Sequence, residues 1–384
     1  MRDRLNPALY TARRSAIREF SNLAARTPDC VRLTLGEPDF VTPAPIRAAV
    51  TAALDAGQTH YIQNNGVPAL RERIASFCFE RWGLDYAPED VIVTAGATEA
   101  LFVALLGALA PGDEVILPQP AFVLYRELVN LAGGVAVPLD TTADRFQLRT
   151  EALEACLTPR TKAIVLNSPN NPTGVVYDRA SLDAVYRAVR DRDIFVICDD
   201  VYRGFCWGAE YHSFAEYRDL REKLLVVQSF SKMWAMTGWR MGWLMADRSV
   251  RERLDLIHQY AVTSTPAPFQ AAAIAALDLD VSDMAEEYAR RRAYVLERLA
   301  GMGLPLVPPD GAFYVFPSIE RFGLTSTDFC TRLLTEAHVA VTPGAAFGAD
   351  GHVRISYACG PDDLRNGLDR LDAFLHTLEG RTNA

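Results

Sequence analysis

Short apolar runs alternate with helical patterns up to about residue 245, and this alternation limits the possible folds more than any other feature. The strand-like runs are residues 91–94, 114–117, 135–138, 163–166, 195–198 and 224–227. Segments with helical periodicity, such as residues 182–190, lie between them. Because strands that alternate with helices usually pair in parallel, we predict a mostly parallel sheet with helices on both faces. Ligands of such sheets gather at the carboxyl ends of the strands.

A different pattern follows residue 245. Helices are predicted near residues 252–260, 270–277, 288–299, 328–337 and 361–378, and strands at residues 311–316, 339–344 and 353–357. An arm and a helix are predicted before residue 30, since Ile17, Phe20, Leu23 and Ala24 recur at helical spacing. The mixture of helices and strands after residue 245 predicts a smaller α+β unit beside the parallel sheet.

Composition excludes several classes of protein. The formal net charge of -9 argues against nucleic-acid binding and against a polybasic membrane binder. The longest apolar run, residues 100–110, is too short to cross a bilayer, and the N-terminus lacks the apolar stretch of a signal peptide, so we expect a cytoplasmic protein. Seven scattered cysteines favour free thiols. Neither the cysteines nor the six histidines show metal-ligand spacing, so no metal site is predicted.

Lys232 is the residue that most strongly suggests chemistry. Only Lys162, Lys223 and Lys232 are lysines among the 39 basic residues, and the first two lie in segments typical of solvated positions. The sequence neighbours of Lys232 are apolar: Phe230, Met233, Trp234 and Met236. Apolar surroundings favour the neutral, nucleophilic amine, which can form a Schiff base with a carbonyl. A structural role as a snorkelling or ion-paired lysine is the alternative.

Other polar and aromatic residues follow the predicted strands at the same edge. Phe122 follows the run 114–117, Asn171 follows 163–166, and Asp199 and Tyr202 follow 195–198. A carboxylate at the position of Asp199 would be partly buried and needs a cation or a firm donor. It is either an N-cap for the next segment or the partner of a protonated ring nitrogen in a carbonyl cofactor bound by Lys232.

Glycine-rich turns and one arginine add further candidates. Gly96, Ala97 and Thr98 open a helix after a strand, where free N–H groups can bind a phosphate, although tight turns use the same residues. Gly36 permits a close backbone approach in a turn, and Tyr61 is an aromatic residue on a polar loop. Arg354 alternates with apolar neighbours in a predicted strand, so its carboxylate partner is either structural or a substrate.

Taken together and in order, these motifs make the chain resemble the fold-type I, class I/II pyridoxal-phosphate aminotransferases, especially the branch that acts on aspartate, aromatic and related amino acids. The matching segments are residues 36–40 (Gly-Glu-Pro-Asp-Phe), Tyr61 with Gly66 and Leu70-Arg71, 95–100, 167–174, 199–202, 229–240 and 353–356. The resemblance covers nearly the whole chain. It implies a seven-stranded, mostly parallel sheet in a large domain at residues 43–278. Residues 1–42 would form an arm and part of the small domain, which residues 279–384 complete.

The resemblance also implies roles for individual residues. Lys232 would hold pyridoxal 5'-phosphate as a Schiff base and later move the substrate α-proton. Asp199 would face the ring nitrogen, Asn171 and Tyr202 the ring hydroxyl, and Phe122 the ring face. The phosphate would be bound by Gly96, Ala97, Thr98, Ser229 and Arg240, with Tyr61 from a second subunit of a homodimer. Arg354 would bind the substrate carboxylate, assisted by Gly36 and Asn171, and Ile17 would contact the substrate.

The predicted function is transfer of an amino group from an L-amino acid to a 2-oxo acid. An acidic side chain needs a second cation, which an arginine such as Arg18, Arg126 or Arg203 would have to supply. The possible walls Ile17, Tyr61, Phe122 and Tyr314 favour an aromatic or other large neutral amino acid. A carbon–sulfur β-lyase or a decarboxylase on the same scaffold is the main alternative. A ligand sensor on this scaffold would need an N-terminal DNA-binding domain, whereas only about 30 residues precede the motif at residues 36–40. A nicotinamide-dependent dehydrogenase would need a Gly-x-Gly-x-x-Gly turn after a strand, and the sequence contains none.

Overall fold

Twelve strands form three sheets in the described residues, 4–11, 16–208 and 211–382, of the computed structural model. The strands are β1 (Val31–Arg32), β2 (Val91–Thr94), β3 (Glu114–Gln119), β4 (Val135–Asp140), β5 (Thr161–Asn167), β6 (Phe195–Asp199), β7 (Leu224–Ser229), β8 (Gly242–Ala246), β9 (Tyr314–Val315), β10 (Val339–Ala340), β11 (Thr342–Pro343) and β12 (Val353–Ser356). The central sheet has seven strands in the order β2-β8-β7-β6-β5-β3-β4.

Helices connect the strands and cover the sheets. Those of the described residues are α1 (Ala8–Thr11), α2 (Ala16–Arg26), α3 (Ala44–Asp55), α4 (Pro68–Trp82), α5 (Ala97–Ala108), α6 (Val123–Leu131), α7 (Thr150–Cys156), α8 (Arg179–Val189), α9 (Phe230–Met233), α10 (Arg248–Val262), α11 (Ala267–Leu277), α12 (Ser282–Gly301), α13 (Ser326–Ala337) and α14 (Pro361–Thr382). None of these described helices combines the length and the apolarity needed to cross a membrane.

The predicted parallel sheet is confirmed, with one strand that the pattern missed. All six predicted runs are strands of the central sheet, and they share one direction. The seventh strand, β8, is antiparallel to both of its neighbours, β2 and β7. It was missed because its five residues follow the motif 229–240 after only Met241, so no separate helical pattern sets this run apart from the motif.

Both faces of the central sheet are buried along six of its strands, as the apolar strand sequences require, whereas the edge strand β4 is partly exposed. Alternate residues of β3 point to opposite faces: Val115 and Leu117 pack in a cluster with α5, α6 and α10, whereas Ile116 packs in a cluster with α4, α8 and α11. The six strands other than β4 therefore have no solvated face. Polar groups that belong to the sheet are confined to the strand ends, where the functional residues are found.

The remaining strands belong to a second core. β1 pairs with β10, and β11, β12 and β9 form a three-stranded antiparallel sheet. Residues of these strands pack with α12, α13 and α14 in a separate hydrophobic cluster. The predicted strand 339–344 is in fact two strands, because β10 joins one sheet and β11 the other. We propose the division into residues 1–42, 43–278 and 279–384; residues 1–3 and 12–15 of the arm lie outside the described residues.

Lys223 is not the solvated residue that its sequence context predicted. Its Nζ donates to the backbone oxygens of Val189, Arg190 and Arg192 at 3.0, 2.8 and 2.7 Å, which follow or end α8. A cation at this position satisfies carbonyl groups that have no partner within the helix and opposes the negative end of the helix dipole. Lys162, in contrast, lies over the ring of Phe195 at 5.6 Å.

We therefore expect the two lysines to differ in their contribution to stability. Lys223→Met removes three charge-assisted hydrogen bonds and should lower the free energy of unfolding by about 2 kcal/mol. Lys162→Met should change it by less than about 0.5 kcal/mol, as is usual for surface substitutions. Urea unfolding of the two variants beside the wild type measures this difference; equal stabilities for both variants would refute the capping role of Lys223.

Candidate active site

A cavity of ≈ 350 Å³ lies at the carboxyl ends of β5, β6 and β7, between the central sheet and the smaller core. All predicted site residues except Gly96 and Tyr61 line it: Ile17, Gly36, Ala97, Thr98, Phe122, Asn171, Asp199, Tyr202, Ser229, Lys232, Arg240 and Arg354. Residues more than 300 positions apart in the chain thus meet at one edge of the sheet, as expected for a parallel α/β arrangement.

The amine of Lys232 is held in surroundings that favour its neutral form. Its Nζ donates to the backbone oxygen of Gly36 at 2.5 Å and lies 5.6 Å from the ring of Tyr202 and 5.9 Å from that of Phe313. Burial lowers the pKa of Lys232 to about 8, against the attraction of Glu37. No carboxylate of the described residues lies within salt-bridge distance of it. A larger fraction of the amine is therefore neutral and nucleophilic near neutral pH than for an ordinary lysine.

The carboxylate of Asp199 is buried at the end of β6. Tyr125 donates its hydroxyl to Oδ2 at 2.6 Å, and the backbone N–H of Val201 approaches Oδ1 at 3.4 Å. Burial raises the pKa of Asp199 to about 6, although the bond from Tyr125 opposes that rise. The neighbouring strand contributes Asn167, which pairs in register with Asp199 and donates to its backbone oxygen at 2.9 Å. A positively charged ligand group would relieve the cost of this buried charge.

Arg354 is a buried cation without a counter-ion among the described residues. Its side chain is 1% exposed. Nη1 donates to Asn171 Oδ1 at 2.9 Å and Nη2 to the backbone oxygen of Thr34 at 2.7 Å, while Nε has no hydrogen-bond partner. The ring of Tyr314 lies 4.5 Å from the guanidinium carbon. Neutral acceptors fix the orientation of the guanidinium but leave its charge for a carboxylate ligand.

A third group of residues is suited to an anion. Helix α5 begins at Ala97 with no side chain capping it, so its first N–H groups have no acceptor within the helix. Gly96, with a φ of 78°, lies outside the cavity lining but directly against Arg240, since a Cβ at Gly96 would lie 2.6 Å from Arg240 Nη2. Arg240 forms no ion pair among the described residues. Strand β8 brings these parts together, because Gly242 pairs with both Thr94 and Ser229.

Tyr61 lies apart from this cavity in the single chain. Its side chain is 89% exposed, and it lines a second cavity of ≈ 510 Å³ with residues 58–60 and 264–268. The three arginines considered for a second carboxylate are also absent from the lining of the main cavity. Arg203, for example, lies 3.8 Å from Asp200 and stacks on Trp82 at 4.9 Å.

Sequence reasoning missed several residues of the cavity. Tyr125 and Asn167 line it but were not singled out. Tyr314, which was expected as a possible wall, does line the cavity, and its hydroxyl bonds to that of Tyr202 at 2.8 Å. Asn167 ends β5, so its place at a strand end was a usable signal. Tyr125 had no such signal, because it lies inside α6 and reaches Asp199 only across the fold.

Comparison with known families shows to which family the chain belongs. A family model described as aminotransferase class I and II matches residues 28–371. The chain belongs to this family. The resemblance predicted from the motifs is therefore confirmed.

Similar proteins in the family have closely related sequences and structures. The aminotransferase is 40% identical to a probable N-acetyl-LL-diaminopimelate aminotransferase of Bacillus subtilis, over 97% of this chain and 95% of that protein. It is 38% identical to an aromatic-amino-acid aminotransferase of Thermococcus litoralis, over 97% and 98%. The structure of an aspartate aminotransferase from Thermotoga maritima is similar with a TM-score of 0.93 and 36% identity, over 97% and 100% of the chains. These proteins are named as aminotransferases, which favours transamination over lyase or decarboxylase activity.

The cofactor of this family of aminotransferases is pyridoxal 5'-phosphate. The cavity fits its functional groups. Lys232 is an amine of lowered pKa that suits the aldehyde. Asp199 is a buried carboxylate that forms no ion pair among the described residues, and it suits the ring nitrogen. The uncapped start of α5 beside Arg240 suits the phosphate.

The raised pKa of Asp199 predicts a pH-dependent stability of the cofactor-free aminotransferase. The pKa rises from 3.8 to about 6 on folding, so between these values the folded protein keeps a proton that the unfolded chain has released. Stability is therefore lost as the pH rises through this window. Asp199→Asn should be about as stable as the wild type at pH 4 and more stable by about 3 kcal/mol at pH 7.5.

Urea unfolding of the cofactor-free proteins at both pH values tests this expectation. Asp90→Asn is the matched control, because Asp90 is also buried but is paired with Arg221 at 2.7 Å. It should be less stable than the wild type at pH 7.5, since the substitution leaves a cation unpaired. A loss of stability in Asp199→Asn at pH 7.5 would contradict the assigned cost of the buried carboxylate.

Proposed function

We propose that this aminotransferase transfers the amino group of an aromatic or other large neutral L-amino acid to a 2-oxo acid. The observation that carries the proposal is the set of cations around the cavity. Among the described lining residues these are Lys232, Arg240 and Arg354. With the first two used by the cofactor and the third by the α-carboxylate, none of the cations of the described lining is left for an acidic side chain.

Apolar residues at the cavity support the same preference. Ile17, Leu101, Phe122 and Leu124 line it, and Ile17 also packs with the cluster that contains Phe316 and Phe347. An unpaired carboxylate against such surfaces would lose hydration without compensation. A large neutral side chain would instead gain from burial of its apolar area.

The cofactor would be held by the residues predicted from the motifs. Ala97, Thr98, Ser229 and Arg240 would bind its phosphate beside Gly96, and Asn171 and Tyr202 its ring hydroxyl. Phe122 would contact the ring face and Asp199 the ring nitrogen. When bound, pyridoxal phosphate supplies a protonated ring that accepts the electron pair released at the substrate α-carbon.

Each group of the chain would then contribute one physical effect. Tyr125 and Asn167 hold Asp199 at the strand end, so the carboxylate keeps the ring nitrogen charged without having to reorient. Lys232, with a pKa of about 8, can both accept and return a proton near neutral pH. Arg354 and Asn171 orient the α-carboxylate, and orientation of this kind lowers the entropic cost of reaction.

The substrate class can be tested in the half-reaction with the amino donor. The rate at which the cofactor absorbance changes is measured with phenylalanine, methionine, aspartate and N-acetyl-LL-diaminopimelate. The last two are included because similar proteins are named for them. Phenylalanine should exceed aspartate by at least about tenfold in kcat/KM, because the described lining residues offer the second carboxylate no further cation.

A variant of the cavity wall provides the matched control. Leu124→Arg adds a cation to the lining and should raise the rate with aspartate relative to phenylalanine. Arg354→Lys should lower kcat/KM for all donors alike, because every donor carries the α-carboxylate. Aspartate as the best donor of the wild type would disprove the proposed class, and release of pyruvate and ammonia without an acceptor would indicate a lyase.

We further propose a cytoplasmic homodimer with shared active sites. Tyr61 is exposed, and so are Tyr260 (84%) and Leu256 (49%) on α10, the helix that ends beside its loop. Exposed aromatic residues of this kind are typical of protein interfaces. In a twofold dimer, the same surface of each subunit would bring its Tyr61 to the phosphate site of the other.

Mixed dimers distinguish a shared site from a site within one chain. Lys232→Ala and Tyr61→Ala chains carry different affinity tags, and the mixed dimer is purified. In a shared arrangement, the Tyr61→Ala chain receives Tyr61 from its partner, so one of two sites is complete and about half of the wild-type activity returns. Mixed dimers of Lys232→Ala with wild type are the control. Activity no higher than half that of Tyr61→Ala dimers would show that Tyr61 acts within its own chain.

A further inference from the structure

His258 is a fully buried histidine outside the main cavity. It belongs to α10, and its side chain is 0% exposed. Nδ1 lies 2.6 Å from Glu99 Oε1, and Nε2 lies 2.7 Å from the backbone oxygen of Asn64. Its ring thus connects the first turn of α5 with the loop that carries Tyr61.

The two partners of His258 require the charged form of the ring. Both are oxygen acceptors, so both ring nitrogens must carry a proton. Burial alone would lower the pKa of His258, but the hydrogen bond and the charge of Glu99 outweigh it and raise the pKa, with a smaller contribution from Asp255. Asp255 itself lies 3.5 Å from Arg251 on the same helix. The histidine and Glu99 therefore form a buried ion pair.

On one side, this pair organises the turn that precedes α5. The second carboxylate oxygen of Glu99 accepts a hydrogen bond from the backbone N–H of Ala95. The backbone oxygen of Ala95 in turn accepts one from Arg240 Nη2 at 3.4 Å. Glu99 is also an anion in the first turn of the helix that would bind the phosphate. Without the positive charge of His258 it would repel a second anion there.

On the other side, His258 holds the loop of Tyr61. Its bond to the backbone oxygen of Asn64 is joined by a bond from Asn64 Nδ2 to the backbone oxygen of Thr263, at 2.5 Å. The backbone oxygen of Asn65 accepts from Val93 N–H in β2 at 3.1 Å. The loop is thus tied to α10 and β2 close to the exposed Tyr61.

We propose that His258 is a positioning residue for phosphate binding. As an imidazolium it neutralises Glu99 beside the phosphate site of its own chain and fixes the loop that presents Tyr61 to the other subunit. This inference rests on the proposed function, in which both of these sites hold the cofactor phosphate. Neither His258 nor Glu99 touches the cofactor in this arrangement.

The test compares two ligands that differ only in the phosphate. Dissociation constants of the cofactor-free protein are measured for pyridoxal phosphate and for pyridoxal, which has the aldehyde and the ring but no phosphate. His258→Asn keeps a donor near the position of Nδ1, and His258→Gln keeps one near Nε2; both remove the charge. Each variant should raise the dissociation constant for pyridoxal phosphate by about tenfold, which is the effect of one charged hydrogen bond. The dissociation constant for pyridoxal should rise by less than about twofold.

A double variant separates the effect of charge from a general loss of structure. Glu99→Gln in the His258→Asn background removes the uncompensated anion, so it should restore most of the lost affinity for pyridoxal phosphate. Glu114→Gln is the control, since Glu114 is a buried carboxylate paired with Arg160 at the opposite ends of the strands. It should lower stability to urea without changing the ratio of the two dissociation constants.

The outcomes are distinct. A loss confined to pyridoxal phosphate and recovered in the double variant supports the proposal. Equal weakening of both ligands, no weakening, or a further loss in the double variant overturns it. If the wild type binds pyridoxal as tightly as pyridoxal phosphate, the proposed phosphate site itself is wrong, and the role of His258 fails with it.

Discussion

The active site of this aminotransferase depends on one constraint. Charged side chains are held at the cavity without a counter-ion among the described residues. Among the described residues, no carboxylate lies within salt-bridge distance of Lys232 or Arg354, and no cation lies within that distance of Asp199. Burial shifts the pKa of Lys232 down to about 8 and that of Asp199 up to about 6. Each shift is a loss of stability that a ligand of the opposite charge can reverse. The free protein is thus prepared for its cofactor and substrate at the expense of its own stability.

The direction of the strands explains how these charges come to share one edge. Five neighbouring strands run in parallel, so Asn167, Asp199 and Ser229 all stand at carboxyl ends. The antiparallel β8 brings its amino end to the same edge. Gly242, its first residue, lies so close to the turn before α5 that a Cβ there would be 2.9 Å from the backbone nitrogen of Ala97. One reversed strand therefore places the Arg240 turn beside Gly96.

Particular residues show how far the sequence could be interpreted. The scarcity of lysine and the apolar run before residue 229 identified Lys232 correctly as a cavity residue, but the reason was incomplete. Phe230 and Trp234, which were expected to desolvate it, pack in the core with Trp243. Tyr202 and Phe313 lie near the amine instead. Neighbours in sequence and neighbours in space differ here because a helical turn directs successive side chains to different sides.

The sequence by itself determined the class of fold, the six parallel strands, the family and most of the cavity residues, because apolar periodicity and strand-end motifs are local properties of the chain. Only the tertiary structure decided the antiparallel β8, the bond from Tyr125 to Asp199 and the ion pair of His258 with Glu99. It also decided that Arg354 has no counter-ion in the described part of the chain. The pair of His258 with Glu99 joins residues 159 positions apart. Such contacts depend on how helices pack across the sheet, and no local pattern specifies that packing.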